Sequence, residues 1–254
     1  MTASITHSKR IRRPSFSSNP GSKRISALPT KYRQILVCQP GKWQQILVSE
    51  EASVHALWNE KIQNITDKIL KNPDPCSDQS LADRCEFASI SQLFSQDMGR
   101  IRRELAVLKI PALIEHVQHL LDQGCAKLVV MAHHPELMLA LKKVFPTAAF
   151  LNLDTQRSQW PVESARFQND PQCQLFIQHI GTAGTNKFLM LATHVLFAEQ
   201  EWEYQKMSYV EDCILGDRQQ ESLSTQILVF ANSFDEKKCQ TLSSGSTCFI
   251  QLPH

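Results

Sequence analysis

The fold is most readily predicted from residues 128–145, which read LVVMAHHPELMLALKKVF. Its first five residues are all apolar, which is typical of a strand buried on both faces of a parallel sheet. His133, His134 and Pro135 then interrupt the strand, and a proline suits the first turn of a helix. The residues that follow place apolar side chains at helical spacing. The stretch therefore predicts a strand, a short loop and a helix, with two histidines at the carboxyl end of the strand.

The same alternation of strand and helix continues on both sides of this unit. We predict helices at 111–124, 135–145 and 203–215, a short helix around 162–170, and strands at 126–133, 148–154, 174–180, 193–199 and 224–232. Pro111 is expected in the first turn of a new helix, and Gly124 at the end of that helix. This alternation of strands and helices predicts an α/β fold with a doubly wound, mostly parallel sheet.

Upstream of that region the sequence predicts a strand at 31–40 and a helical N-terminal extension. The extension comprises a helix after residue 41, a loop at 71–85 that contains two prolines, and a helix at 90–109. We divide the chain into a basic flexible arm at 1–30, a strand and helical extension at 31–100, an α/β lobe at 101–236, and a tail at 237–254. The tail is expected to be partly helical and partly irregular.

Composition and length exclude several classes of protein. The chain has 254 residues, of which 42% are hydrophobic and 20% charged, as is ordinary for a globular protein. No apolar run approaches the ~18 residues of a membrane span, so we expect no membrane partner. The first residues lack the apolar segment of a secretion signal, which predicts an intracellular protein of the cytoplasm, nucleoid or nucleus. None of the eight cysteines forms a C-x-x-C pair, so we expect reduced thiols and no metal site.

Basic residues are concentrated at the N-terminus. Nine of the 27 lysines and arginines precede Glu50, and no acidic residue does; the rest of the chain carries 18 basic against 25 acidic residues. A basic arm on an acidic body fits contact with a polyanion. A solubilising tail beside a mixed surface explains the charge pattern equally well.

In a doubly wound sheet, ligands bind outside the carboxyl ends of the strands. That rule marks the loops at 132–136, 154–159, 181–188 and 198–202. Gly181 and Gly184 would let the backbone approach a partner closely, although a plain turn is the alternative. No G-x-x-x-x-G-K-S/T phosphate loop occurs in the sequence. A metal site at His133 and His134 is disfavoured, because adjacent strand residues point to opposite faces.

Four segments in order and spacing resemble one known family. They read ALPTKYRQILV (27–37), MGRIRRELAVLKIPALIEHVQHLLDQGCAKLVVMAHH (98–134), RFQNDPQCQLFIQHIGTAGTNKFLMLATHVLFAEQEW (166–202) and YVEDCILGDRQQ (209–220). The first is similar to an inter-lobe linker. The other three resemble the second RecA-like lobe of Swi/Snf-type ATPases, the double-stranded-DNA translocases of helicase superfamily 2. The likeness implies a RecA-like helicase C-terminal lobe, covering residues 105–236 in particular.

The resemblance implies roles for individual residues. Positions matching the nucleotide-facing motifs are Gly184, Thr185, Glu211, Asp212 and Gln219. Positions matching the DNA-facing motifs are His133, His134, Gly181, Thr182, Asn186 and Lys187. One of the two histidines is expected to contact backbone phosphate and the other to pack inward; that both are merely structural is the alternative.

The sequence also departs from the family. Cys213 and Gly216 stand where the family has the two arginines that stabilise charge during phosphoryl transfer, and Asn186 replaces a glycine. Loss of such an arginine typically costs on the order of a thousandfold in rate. Arg218 lies close by and is a candidate displaced arginine finger. The phosphate loop and the Asp-Glu box of the family's first lobe do not occur in this chain.

Three functions follow as hypotheses. The first is a lobe without catalysis that binds DNA weakly and without sequence preference. The second is half of a split motor, in which a separate chain carries the first helicase lobe. There, ATP and magnesium would bind only between the two lobes, and the chain alone would hold no cofactor. The third is a non-catalytic scaffold for protein interactions, with Trp160, Trp202 and the segment 43–58 as contact points.

Overall fold

The computed structural model describes residues 31–71, 74, 77–182, 192–201, 204–215, 222–242 and 247–251, so the predicted arm at 1–30 lies outside the described residues. The described elements, in chain order, are β1 (Lys31–Cys38), α1 (Lys42–Lys71), α2 (Asp78–Asp122), β2 (Leu128–Ala132), α3 (Pro135–Val144), β3 (Ala149–Leu151), a 3-10 turn (Arg157–Gln159), α4 (Trp160–Asn169), β4 (Leu175–His179), a 3-10 turn (Ile180–Thr182), β5 (His194–Phe197), α5 (Tyr204–Leu215), β6 (Leu223–Phe230), α6 (Phe234–Leu242) and β7 (Thr247–Gln251).

Seven strands form one sheet in the order β3-β4-β2-β5-β6-β1-β7. Neighbouring strands are paired in parallel throughout the described part of the chain. Helices cover both faces, which is why all five residues of β2 are buried and why its sequence does not alternate. Both the α/β fold class and the helical N-terminal extension are confirmed.

Two hydrophobic layers lie on opposite faces of the sheet. Leu128 and Val130 of β2 pack in one layer, which α2 and α3 cover. Val129 and Met131 pack in the other layer with α4 and α5, where Phe167 is fully buried. Successive strand residues point to opposite faces, so a continuous apolar run supplies both layers at once.

The predicted break at Pro111 is wrong. A single helix, α2, runs from Asp78 to Asp122 with Pro111 inside it. Proline has no N–H to donate to the carbonyl of Val107, so one hydrogen bond of the helix is missing at this point. Pro111 itself is exposed. Leu105 before it and Leu113 after it are buried in the same hydrophobic layer. Packing on both sides of the proline therefore keeps the helix continuous.

The predicted start of α2 is wrong, whereas its predicted end is confirmed. The loop predicted at 71–85 is too long, because α2 begins at Asp78 behind Ser77, whose hydroxyl accepts a hydrogen bond from the Ser80 N–H at 3.2 Å. The predicted stop at Gly124 is confirmed: this residue has φ of 87°. Its N–H donates to the Leu121 carbonyl, and the Cys125 N–H donates to the Leu120 carbonyl. This pair of bonds is a Schellman motif, which favours glycine.

The predicted tail contains a strand that the sequence did not predict. Beyond α6, β7 pairs with β1 in parallel register from Arg33 opposite Thr247 to Val37 opposite Gln251. A five-residue run between polar residues carries too little periodicity to identify a strand. The α6 helix agrees with the prediction of a partly helical tail.

Helices α1 and α2 form a long antiparallel hairpin. The Trp58 indole N–H donates to the Asp97 carboxylate at 2.9 Å, and Lys68 lies 3.5 Å from Glu86. At the base of the hairpin, Lys109 is buried and donates to the Leu228 carbonyl at 3.2 Å. The first two contacts join α1 to α2, and the Lys109 hydrogen bond joins the hairpin to the sheet.

Two further observations concern membrane spans and cysteines in the described part of the chain. None of the helices described here is both long and apolar enough to cross a membrane. Six cysteines within the described ranges are free thiols: Cys38, Cys85, Cys125, Cys173, Cys213 and Cys239.

Candidate functional site

Three loops meet where the carboxyl ends of β4, β2 and β5 lie side by side. They are residues 180–182 after β4, 133–134 after β2, and 198–201 after β5. All three belong to the regions that the sequence marked as ligand-binding loops. We refer to this surface as the carboxyl edge.

Glu199, in the loop after β5, organises the loop after β2. One carboxylate oxygen accepts the backbone N–H groups of His133 and His134, each at 2.8 Å. The other carboxylate oxygen contacts Nδ1 of His134. Glu199 is buried, so its charge is held by these three donors rather than by water. The two histidines are thereby fixed relative to the neighbouring strand.

The protonation state of Glu199 follows from these contacts. Burial alone would raise the pKa of the Glu199 carboxyl. The hydrogen bond and charge of the His134 side chain, with the two backbone N–H groups, outweigh burial and lower that pKa to about 2. Hydrogen bonds to the charged form of an acid favour ionisation. Glu199 is therefore an ionised buried group.

His133 and His134 lie in different environments. His134 is partly buried against Glu199, whereas His133 is exposed. The His133 ring lies at a tilt against the His179 ring, with a centroid distance of 5.2 Å and an interplanar angle of 37°. Partial desolvation is the main cause that lowers the pKa of the His133 ring, and burial is the main cause that lowers the pKa of His179. Of the two adjacent histidines, His133 is thus the more exposed one.

Gly181 and Thr182 form a tight turn over His179. The Gly181 N–H donates to Nδ1 of His179 at 2.9 Å, and the Thr182 hydroxyl donates to the His179 carbonyl at 2.7 Å. Gln178 donates to both oxygens of Thr182, at 3.2 and 3.1 Å. The Thr182 side chain is buried within this turn, while Gly181 is exposed.

Gly181 leaves little room for a side chain on the His179 side. A Cβ atom at this position would lie 3.0 Å from Nδ1 and 3.1 Å from Cε1 of His179. The absence of a side chain therefore allows the turn to close on the His179 ring. The same Cβ position is 3.5 Å from a methyl group of Leu153, which follows β3.

Glu211 and Asp212 lie on α5, away from the histidines. Glu211 is buried and accepts two hydrogen bonds from the Arg33 guanidinium of β1, at 2.9 and 2.6 Å. This contact is bidentate, because two nitrogens of the planar guanidinium donate to the two oxygens of one carboxylate. Asp212 is exposed. The remaining predicted residues lie outside the described residues: Gly184, Thr185, Asn186, Lys187, Arg218 and Gln219.

Sequence reasoning did not single out Glu199, His179 or Arg33. Glu199 and His179 each stand at the carboxyl end of a predicted strand, which is the available signal for both. Arg33 was counted only as a charge of the basic region. Within the described ranges, no three histidine, cysteine or acidic side chains converge as metal ligands would.

Curated proteins with similar sequences are DNA-processing enzymes. No family model matches the chain. The bovine protein named DNA annealing helicase and endonuclease ZRANB3 is 29% identical over 122 residues, and the human protein of that name is 28% identical over 122 residues. Each match covers 44% of this chain and 11% of the relative, so the chain matches only a small part of these proteins.

Solved structures show the same fold over most of the chain. The C-terminal part of the Fun30 ATPase domain superposes with a TM-score of 0.56 and 16% identity, covering 84% of this chain and 88% of that one. The Sulfolobus solfataricus SWI2/SNF2 ATPase core domain gives a TM-score of 0.50 and 15% identity, covering 86% of this chain and 44% of that one. The resemblance found in the sequence is confirmed: the chain has the fold of the RecA-like C-terminal lobe of a Swi/Snf-type ATPase.

Proposed function

We propose that the protein acts as the C-terminal lobe of a Swi/Snf-type DNA-dependent ATPase, binding DNA at its carboxyl edge inside the cell without hydrolysing ATP by itself. The observation that carries this proposal is the Glu199 contact. It holds the loop after β2 so that His133 is exposed beside Gly181, in the region where parallel sheets bind ligands.

We expect the binding to DNA to be weak and without sequence preference, because backbone and lysine groups would make the contacts. The exposed loops of the carboxyl edge, together with Lys187, would contact phosphate and sugar rather than base edges. Phosphate contacts position a protein on DNA but carry no sequence information. The basic residues before Glu50 would add to the same electrostatic attraction.

Catalysis requires parts that this chain does not supply. ATP in this family lies between two lobes, and the sequence has no phosphate loop. Cys213 and Gly216 occupy the arginine positions, which removes the charge stabilisation that speeds phosphoryl transfer. ATP and magnesium would bind only when a first RecA-like lobe is present. A separate chain carrying that lobe would make a split motor, with Arg218 as its arginine.

The DNA-binding proposal is tested by measuring affinity against salt. We expect fluorescence anisotropy with a labelled duplex to show binding at low salt that weakens linearly in a log–log plot. Lys187→Gln should reduce the slope by about one counterion. Lys143→Gln, at the exposed end of α3 on the opposite edge of the sheet, is the matched control and should leave the slope unchanged. No binding at low salt, or a slope near zero, would refute the proposal.

A protein-interaction scaffold is the second candidate function. It is favoured by one observation: Trp43 is 80% exposed at the start of α1, next to the exposed Ile46. Trp58 and Trp160, by contrast, are packed and hydrogen-bonded, and Trp202 lies outside the described residues. Pull-down after nuclease treatment tests this candidate. A captured protein that is lost on Trp43→Ser but kept on Leu70→Ser, at the far end of α1, would favour the scaffold.

A further inference from the structure

We infer that His179 is a pH-sensitive switch at the carboxyl edge: its unprotonated ring holds the turn after β4 closed through Gly181, and its protonation opens the turn and strengthens the binding of duplex DNA. The inference rests on the proposed function, because it specifies how DNA binding at the carboxyl edge is regulated.

The hydrogen bond between Gly181 and His179 fixes the protonation state of the ring. The Gly181 backbone N–H donates to Nδ1 of His179 at 2.9 Å. A backbone N–H only donates, so Nδ1 presents a lone pair, and the proton of the neutral ring is on Nε2. A protonated imidazole has an N–H group at both nitrogens. Protonation of His179 would therefore bring two donors face to face and break this hydrogen bond.

The turn is packed too closely on the ring to accept an added proton without moving. A Cβ atom built on Gly181 would lie 3.0 Å from Nδ1 and 3.1 Å from Cε1 of His179. The far end of the turn is held independently of the ring, because the Thr182 hydroxyl donates to the His179 carbonyl and the Gln178 amide donates to both Thr182 oxygens. Opening is therefore expected at Gly181 and not at Thr182.

The groups that face the His179 ring set the pH at which it takes up a proton. Burial is the largest cause that lowers the pKa of His179 below its ordinary value of 6.5, and the nearby His133 ring lowers it further. A hydrogen bond with the His133 backbone and the charges of Glu199 and Glu201 act in the opposite direction. The turn after β3 meets Gly181 through the uncharged Leu153. The ring is therefore neutral at neutral pH and takes up a proton only in acidic solution.

The open turn would offer a phosphate group two donors. Protonation leaves the Gly181 N–H and the Nδ1–H of His179 without each other as partners, and Gly181 is exposed. Backbone N–H groups and charged side chains are typical partners of DNA phosphates, and such contacts carry no sequence information. An anion beside an imidazolium raises the pKa of the ring. Because the coupling of two ligands is reciprocal, proton uptake by His179 should strengthen DNA binding by the same factor.

DNA affinity measured at two pH values tests this coupling. Anisotropy titrations at low salt with a labelled duplex should show binding on the order of tenfold tighter at pH 5.5 than at pH 8. That gain corresponds to a pKa of His179 raised by about one unit in the complex.

Variants assign the gain among the nine histidines of the chain. The amide oxygen in His179→Asn can accept the Gly181 N–H, as Nδ1 does, but asparagine takes up no proton, so this variant should lose the gain. His133→Gln removes the neighbouring ring and should keep the gain. His119→Gln is the matched control, because His119 is exposed in the last turn of α2 at the opposite edge of the sheet, and it should also keep the gain.

Nuclear magnetic resonance tests the switch in the wild-type protein without DNA. At neutral pH, the ring nitrogens of His179 should show an unprotonated Nδ1 and a protonated Nε2. The Gly181 amide resonance should titrate with the same midpoint as the His179 ring, whereas the Thr182 amide should shift less. This measurement decides the role of the ring even where His179→Asn does not fold.

The outcomes distinguish the two proposals. A proton on Nδ1 at neutral pH, or a Gly181 amide that does not follow the ring, would overturn the switch. Equal affinity at both pH values, or a gain that His179→Asn retains, would also overturn it and leave DNA binding intact. Absence of DNA binding at low salt from pH 8 to pH 5.5 would overturn the proposed function and the link of the switch to DNA.

Discussion

Glu199 links two loops that are distant in sequence, because its buried carboxylate accepts the backbone N–H groups of His133 and His134 across 65 or 66 positions. An ionised carboxylate at this point cannot itself attract phosphate. Its role is to hold the histidines, so that His133 is exposed in one orientation. Glu199 is a positioning residue for the carboxyl edge.

The first prediction concerns Glu199→Gln. The folded-state pKa of Glu199 is about 2, below its ordinary value of 4.5, so its ionisation stabilises the fold above pH 4.5. That stabilisation is lost as the pH falls through about 2. We expect Glu199→Gln to lower the free energy of unfolding by about 3 kcal/mol at neutral pH. Urea titrations of both proteins should show this difference shrinking between pH 4.5 and 2; a difference constant with pH would contradict the account.

The second prediction concerns Arg33 and Glu211. Arg33→Ala leaves the buried Glu211 carboxylate without its guanidinium partner, which should cost about 3–5 kcal/mol of stability. The double variant Arg33→Met, Glu211→Leu should regain much of that loss, because it buries neither charge. Urea unfolding of Arg33→Met, of Glu211→Leu and of the double variant measures the coupling. Additive losses would show that the two residues do not stabilise each other.

Residues adjacent to strands could be predicted from the sequence, whereas their partners could not. The apolar run before His133 and His134 fixed these residues at the end of a strand, where the structure has them. Arg33 and Glu211 are 178 positions apart, and only the order of the strands brings them together. Gly181 was singled out for close backbone approach, but the contact of its turn with His179 depends on the tertiary structure.

At the scale of elements, local patterns determined most helices and strands, and tertiary packing determined the exceptions. The strand and helix that begin at Leu128 and Pro135 follow directly from apolar periodicity. Helix α2 passes through Pro111 because buried side chains anchor it on both sides. Strand β7 depends on its pairing with β1, and its own residues carry little signal.

The third prediction tests the continuity of α2. Pro111→Ala restores the missing N–H donor opposite the Val107 carbonyl and removes the clash of the proline ring. Proline in a helix interior costs about 3 kcal/mol relative to alanine, so we expect this variant to be more stable by up to that amount. Thermal and urea unfolding measure the change. If a helix instead began at residue 111, proline would suit its first turn and the variant would gain no stability.

At the scale of the whole molecule, buried charges join the α1–α2 hairpin to the sheet. Lys109 of α2 lies 3.4 Å from Asp235 of α6, and Glu51 of α1 accepts the Phe234 N–H at 2.8 Å. Lys109, Asp235 and Glu51, with Arg102, line a cavity of about 10 Å³, which has room for at most one water molecule. The hairpin and the sheet should therefore unfold together.

The fourth prediction is that Lys109→Met destabilises the protein and uncouples the hairpin from the sheet. Removing the buried ammonium takes away one of the two cations that line the cavity with the Asp235 and Glu51 carboxylates, Arg102 being the other, at a cost of up to about 3–5 kcal/mol. Adding Asp235→Leu should recover part of that loss. Hydrogen exchange of the wild type should give α1 and β2 the same opening free energy, whereas α1 should open first in Lys109→Met. Equal stability of variant and wild type would contradict this role.

We propose above all that the protein binds DNA but does not hydrolyse ATP by itself. ATP turnover by the purified protein, with and without duplex DNA, tests it most directly. We expect no turnover in either condition at salt concentrations at which DNA is bound. A DNA-stimulated rate that is lost on Arg218→Ala or Asp212→Ala would contradict it, because a working catalytic site would then exist behind the altered motifs.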